Sequence, residues 1–137
     1  MQTIYQKITK LGKRITKTRR AILEILVQES CLLDKKTLLQ KLQRKKINPD
    51  RTTLYRELLF LTEHQIVNKS LINGVGHYEI ANFDHHHHLI CLNCNHIQKV
   101  ILKNTLTKQE KILSQKNNFT ITNHQLDFYG YCAKCQL

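Results

Sequence analysis

Residues 84–94 read Asp-His-His-His-His-Leu-Ile-Cys-Leu-Asn-Cys, and a second Cys-x-x-Cys follows at Cys132 and Cys135. Two thiolates separated by two residues can wrap one ion in a tight knuckle. The two pairs, Cys91/Cys94 and Cys132/Cys135, together supply four soft sulfur donors, the ligand set of a closed tetrahedral zinc site. The 37 residues between Cys94 and Cys132 exceed the spacing of a small zinc ribbon. A folded unit therefore lies between the pairs, with the metal pinning its two ends together.

The histidines come next. In an extended segment alternate side chains share a face, so His86 and His88 point one way and His85 and His87 the other. Glu79, on the strand just before, is close enough to join His86 and His88, and His124 is placed to join His85 and His87. Such mixed imidazole and carboxylate sets suit a first-row divalent ion: Fe(II), Mn(II), Ni(II) or Zn(II). The plainer reading is an exposed histidine-rich loop, but four in a row beside a thiolate site favour ligation.

Around the first knuckle, Leu89–Cys91 and His96–Leu102 read as strands. Residues 104–116 form a helix with Leu106, Ile112 and Leu113 as core, and Phe119–Thr122 and Leu126–Tyr129 give further strands. A small sheet and one helix have little core of their own. Zinc, and an edge strand paired with a second copy, are expected to supply the missing stability.

Upstream, Gly12 ends a short amphipathic opening segment. From Thr16 or Thr18 as N-cap, Ile22, Ile25 and Leu26 form a helical stripe, with Lys17, Arg19 and Arg20 in its first turn. Cations are disfavoured at that end of a helix, which implies an external anion. Asp34 caps a helix carrying Leu38, Leu39 and Leu42, and Asp50 caps the next, residues 51–61. There Leu54, Leu58 and Leu61 face a core, while Arg51, Thr52, Tyr55 and Arg56 lie away from it. Guanidiniums, a hydroxyl and a phenol suit the major groove of DNA. Residues 66–72, Asn73-Gly74 and residues 77–80 make a hairpin. Helix, helix, turn, helix, hairpin describes a winged helix-turn-helix whose reading helix is 51–61.

Charge agrees with this order. Residues 1–81 hold 16 Lys/Arg against 7 Asp/Glu, a net of +9, and residues 82–137 hold 6 against 3, a net of +3. Within a total of +12 over 137 residues, that asymmetry is the footprint of a nucleic-acid binder. The division expected is 1–81 for a DNA-binding domain and 82–137 for a smaller α/β domain, an α+β chain overall. No apolar run spans a bilayer and the opening residues lack a signal-peptide core, so a cytosolic protein with reduced thiols is expected.

These residues resemble the Fur (ferric uptake regulator) family of metal-dependent repressors over nearly the whole chain. The likeness rests on Gly12-Lys13-Arg14-Ile15-Thr16 with Arg19-Arg20, Thr53-Leu54-Tyr55-Arg56 and Tyr78-Glu79. It continues through His85–His88 into Cys91-x-x-Cys94, Thr122-Asn123-His124 and Gly130-Tyr131-Cys132-x-x-Cys135. The resemblance implies a homodimer whose C-terminal α/β domain pairs two copies and whose winged helices bind a palindromic double-stranded DNA operator. It implies structural zinc at Cys91, Cys94, Cys132 and Cys135, and a second, regulatory divalent metal (zinc, iron or manganese) at Glu79, His86 and His88 in the hinge. A further site falls on His85, His87 and His124. The DNA-contact set is Arg14, Lys17, Arg19, Arg20, Arg51, Thr52, Thr53, Tyr55 and Arg56.

This sequence departs from the family pattern in several places. Leu32, with Cys31 beside it, stands where a sensing histidine is usual, Lys99 and Thr107 fall at carboxylate positions, and His87 replaces a common Asp. The losses disfavour an oxygen-rich iron or manganese site, and with it peroxide sensing. Two arrangements stay open: Cys31 completes the Glu79-His86-His88 set, or the site is incomplete and Lys99 partly substitutes for metal charge.

Two other classes compete with this reading. His77-Tyr78-Glu79 before Cys91-x-x-Cys94 echoes the zinc-deaminase signature. Ile90 stands where its proline belongs, however, only 11 residues separate Glu79 from Cys91, and the second cysteine pair has no role in it. The sequence thus reads as a non-enzyme with neither membrane nor small-molecule substrate as partner. A structural zinc protein with non-specific DNA binding would bind in a wholly salt-dependent, sequence-blind way.

Overall fold

Three side-chain caps frame the helices of the N-terminal half: α1 (Gln2–Lys10), α2 (Lys17–Glu29), α3 (Lys35–Arg44) and α4 (Arg51–Glu63). Thr16 accepts from the Arg19 N–H, Asp34 from Thr37 and Asp50 from Thr53, the last two at 2.7 Å. Each cap satisfies one of the orphan donors at a helix start. The computed structural model describes residues 1–81, 85–103 and 106–136.

Strands β1 (Leu33–Asp34), β2 (Val67–Ile72) and β3 (Val75–Ile80) form an antiparallel sheet in the order β1-β3-β2. Asn73 and Gly74 turn the β2–β3 hairpin with φ of 49° and 76°, the left-handed pair that a tight primed turn requires. Ile8, Ile22, Leu26, Leu38, Leu42, Leu54, Leu58 and Leu61 are buried together between helices and sheet. Each such side chain contributes about 2 kcal/mol by leaving water. The result is a winged helix-turn-helix with β2–β3 as wing.

The chain divides into two units, Met1–Phe83 and Asp84–Leu137. The domain boundary expected after residue 81 borders residues 82–84, which lie outside the described residues. In the second unit β4 (His87–Cys91) is central, antiparallel to β5 (Ile97–Val100) and parallel to β6 (Asp127–Gly130). Helix α5 spans Thr107–Asn117, and the start expected at Asn104 is outside the described residues.

Two expectations need correction here. Leu106, Ile112 and Leu113 are not core: α5 has no buried residue, and Ile112 and Leu113 are 55% and 51% exposed. Phe119–Thr122 forms no strand, although its alternation suits one. Alternation signals an extended chain, but a strand also needs a ladder partner, and β4 already has one on each side. Among the described residues of this unit only His87, His88, Ile90 and Cys91 are buried. No helix of the described residues is long and apolar enough to cross a membrane.

Candidate metal centres and nucleic-acid interface

The two knuckles meet. Cys91 ends β4, Asn95 (φ 57°) turns the chain back, and the Asn95 N–H closes on the Cys91 carbonyl. The second knuckle is closed by Cys135 N–H donating to the Cys132 carbonyl at 2.7 Å. All four sulfurs lie within 4.8 Å of one another, with Cys94 and Cys132 Sγ 3.7 Å apart. A tetrahedron of sulfurs ~2.3 Å from zinc has edges of roughly 3.8 Å, so the cluster fits that ion. Backbone N–H groups of Cys94 and Cys132 bring the Cys91 thiol down to about 6. Asn93 lowers Cys135, but the crowding of sulfurs from Cys132, Cys94 and Cys91, with burial, pushes it up to about 12. Four thiols in so small a space resist ionising together, and a dication relieves that conflict. The same gathering gives Cys132 and Cys135 the role that the deaminase pattern left them without.

His85, His87 and His124 form a second cluster, their ring centroids 4.8, 4.8 and 5.7 Å apart. Three imidazoles around one ion at ~2.1 Å put their centroids roughly 5 Å apart. The His87 Nδ1–H donates to the Leu126 carbonyl at 3.2 Å, and His124 Nδ1–H donates to Glu110 Oε1 on α5 at 2.5 Å. That fixes both tautomers with the lone pair on Nε2. Among the described residues both Nε2 atoms are buried and lack a hydrogen-bond partner. Burial, then the neighbouring His85, His124 and His86 charges, holds His87 below the usual histidine range despite the Leu126 bond. Two rings held through Nδ1, with buried Nε2 atoms, beside a third imidazole suit a divalent cation.

His86 and His88 share the other face, their centroids 5.0 Å apart. The buried His88 Nδ1 lies 3.1 Å from Asp127 Oδ1 on β6, and Lys99 is its ladder partner on β5. Glu79 sits on β3 of the first unit, across the ladder from Asn68. Cys31 is half-buried before β1 and joins none of the clusters of three or more ligating groups among the described residues. Glu110 and Asp127 are the carboxylates against these imidazoles that sequence reasoning missed. Glu110 lies one helical turn beyond Thr107, where the family pattern pointed.

On the winged helix, Arg51, Thr52, Tyr55 and Arg56 are exposed along α4, and Arg14, Lys17 and Arg20 are exposed around the start of α2. Thr53 serves its own helix: its hydroxyl donates to Asp50 Oδ2 at 2.9 Å, beside the backbone cap bond. Arg19 is corrected from an outward cation to an inward one. It is 8% exposed and paired with Glu57 of α4, because that carboxylate offers it both oxygens. One of the three first-turn cations of α2 therefore has its anion inside the fold.

A reading helix with an outward cationic face, in one chain with a tetrathiolate cluster and anchored imidazoles, defines a metal-responsive DNA-binding regulator. The chain belongs to the Ferric uptake regulator family, which it matches over residues 10–129. Members of this family are metal-responsive transcriptional regulators. The chain is 30% identical over 129 residues to a ferric uptake regulation protein of Bacillus subtilis, covering 89% of this chain and 85% of that protein. The crystal structure of the Vibrio cholerae ferric uptake regulator matches with a TM-score of 0.75 at 29% identity, covering 93% of this chain and 98% of that one. The Helicobacter pylori regulator shares the fold, with a TM-score of 0.79 at 23% identity over 99% of this chain and 91% of that one.

Proposed function

We propose that the protein is a cytosolic homodimeric repressor that binds a palindromic operator when a divalent metal loads its hinge. Zinc at Cys91, Cys94, Cys132 and Cys135 holds the second unit together, and that unit pairs two copies. Residues 82–137 act as the dimerisation domain and residues 1–81 as the DNA-binding domain. Glu79, His86 and His88 hold the regulatory ion, and Cys31 swings in to complete a softer, zinc-leaning set. His85, His87 and His124 hold a further ion, oriented by Glu110.

One observation supports this reading: His87, His88 and Cys91, one residue from each candidate ion site, lie on the short strand β4. Arg51, Thr52, Tyr55 and Arg56 then contact bases and phosphates, with Arg14, Lys17 and Arg20 adding backbone contacts. Thr53 supports them through the cap.

The test is a titration of Zn(II), Fe(II) and Mn(II) into zinc-loaded protein while duplexes selected from a random pool are bound. Allosteric coupling of the usual size tightens binding roughly 10- to 100-fold with the right metal. Preference for the selected duplex persists as salt rises. Affinity unmoved by every metal and by chelation of the labile site would instead favour the Lys99 arrangement, in which His88 faces a fixed cation. Binding blind to sequence would sink the reading altogether. Cys31→Ser should weaken regulatory zinc binding and leave the four-sulfur site filled.

A further inference from the structure

One buried charge, Arg19, belongs to none of the ligand clusters among the described residues. The Arg19 guanidinium makes three kinds of contact at once. Its Nε and Nη2 donate to the two oxygens of Glu57 at 2.7 and 3.1 Å, a two-pronged pair with α4. Its Nη1 donates to the Arg14 carbonyl at 2.7 Å, in the loop that joins α1 to α2. Its plane covers the Phe60 ring, also on α4, with the central carbon 4.4 Å from the centroid. Only a flat fork of donors reaches all three partners, and a lysine ammonium, a point charge, does not.

The partners have functional neighbours. The loop carries Lys13 and Arg14, both exposed, and α4 carries Arg51, Tyr55 and Arg56 on its outer face. Gly12, at φ 70°, lets the chain reverse into that loop. Phosphate contacts set register and base contacts read sequence, so the two kinds work together only if their carriers are held in fixed relation.

We propose that Arg19 is a positioning residue that locks the Lys13–Arg14 loop to the reading helix, so that backbone and base contacts fall in one register. This rests on the DNA-binding reading of α4, and the experiment separates the two. Arg19→Lys keeps the charge and the Thr16 cap but loses the fork. In the metal-loaded full-length protein, two quantities are compared with wild type: amide exchange of residues 13–16, and the slope of log affinity against log salt for a selected duplex.

The variant is expected to lose protection in the loop and to flatten the salt slope by about 1 to 2, since each lost phosphate contact removes ~0.9. It is expected to bind about tenfold more weakly at low salt. Adding Arg14→Ala to Arg19→Lys should then flatten the slope no further, because both remove the same contact. A melting temperature that falls while loop exchange and salt slope stay put would mean a merely structural ion pair and overturn the proposal. If wild type itself shows no sequence preference, the functional reading fails, and loop exchange alone decides the clamp. Should Arg19→Lys not fold, Glu57→Gln, which keeps the bond to Arg14, carries the comparison: loosening α4 from an intact loop supports the lock, and no change sinks it.

Discussion

At the scale of single residues, the histidines owe their usefulness to what holds their far nitrogens. Glu110 takes the Nδ1–H of His124, and Asp127 stands at Nδ1 of His88. A carboxylate behind an imidazole fixes its tautomer and raises the basicity of the nitrogen that meets the metal. Glu110→Gln keeps an acceptor but removes the charge, and Glu110→Ala removes both. The expected order of affinity at the His85-His87-His124 site is wild type, then Gln, then Ala, with Ala ~10- to 100-fold weaker. Competition against a chromophoric chelator, with the four-sulfur zinc already in place, measures it. Equal affinities would show that Glu110 does not orient the ring. None of this pairing could be read from the sequence in the way the cysteines could. Cys-x-x-Cys states its partner through spacing alone, whereas Glu110 and His124 meet because the chain turns back between them. Arg19 was misjudged for a related reason: at a helix start an arginine reads as surface, and its partner lies 38 residues away.

At the scale of elements, the caps were the most legible signal and the second sheet the least. Thr16, Asp34 and Asp50 each stand one residue before a helix, and all three cap through the side chain. The Phe119–Thr122 run shows the opposite case, where local pattern is right for a strand and the ladder partner is missing. Asp34 makes the cap quantitative. Burial pushes its carboxyl up, but the Thr37 hydroxyl and N–H together outweigh that and hold it below the ordinary carboxylate value. A group with a depressed folded pKa adds stability above its unfolded pKa and loses it as pH falls through the folded one. Asp34→Ala should therefore cost about 1 kcal/mol at neutral pH. The gap between variant and wild type should stay constant down to roughly pH 4 and narrow below it. Urea unfolding at several pH values gives the answer, and a gap that grows in acid would contradict the cap.

Across the whole molecule the two units differ in what holds them. The first buries a continuous cluster running from Ile8 to Ile80. The second buries two apolar side chains, Ile90 and Cys91, among its described residues, and leaves Leu89, Phe128, Tyr129 and Phe119 each 40% or more exposed. Zinc bound by four thiolates contributes on the order of 10 kcal/mol to small domains of this kind, most of it as folding free energy. A second copy covering the exposed side chains would add to that. Removing zinc under reducing conditions should consequently unfold the chain unevenly. Amides of β4, β5 and β6 are expected to exchange freely, while β2, β3 and the buried faces of α2 and α4 stay protected. Most of the helical circular dichroism should survive, because α1–α4 contain most of the helix. The proposed dimer should fall apart in sedimentation, and selective DNA binding should vanish although the reading helix is intact, since one winged head alone would lose the paired half-site. Cys132→Ser should reproduce the pattern without any chelator. Retained protection in β4 after zinc loss, or collapse of both units in a single step, would mean that the sulfurs do not hold the second unit together.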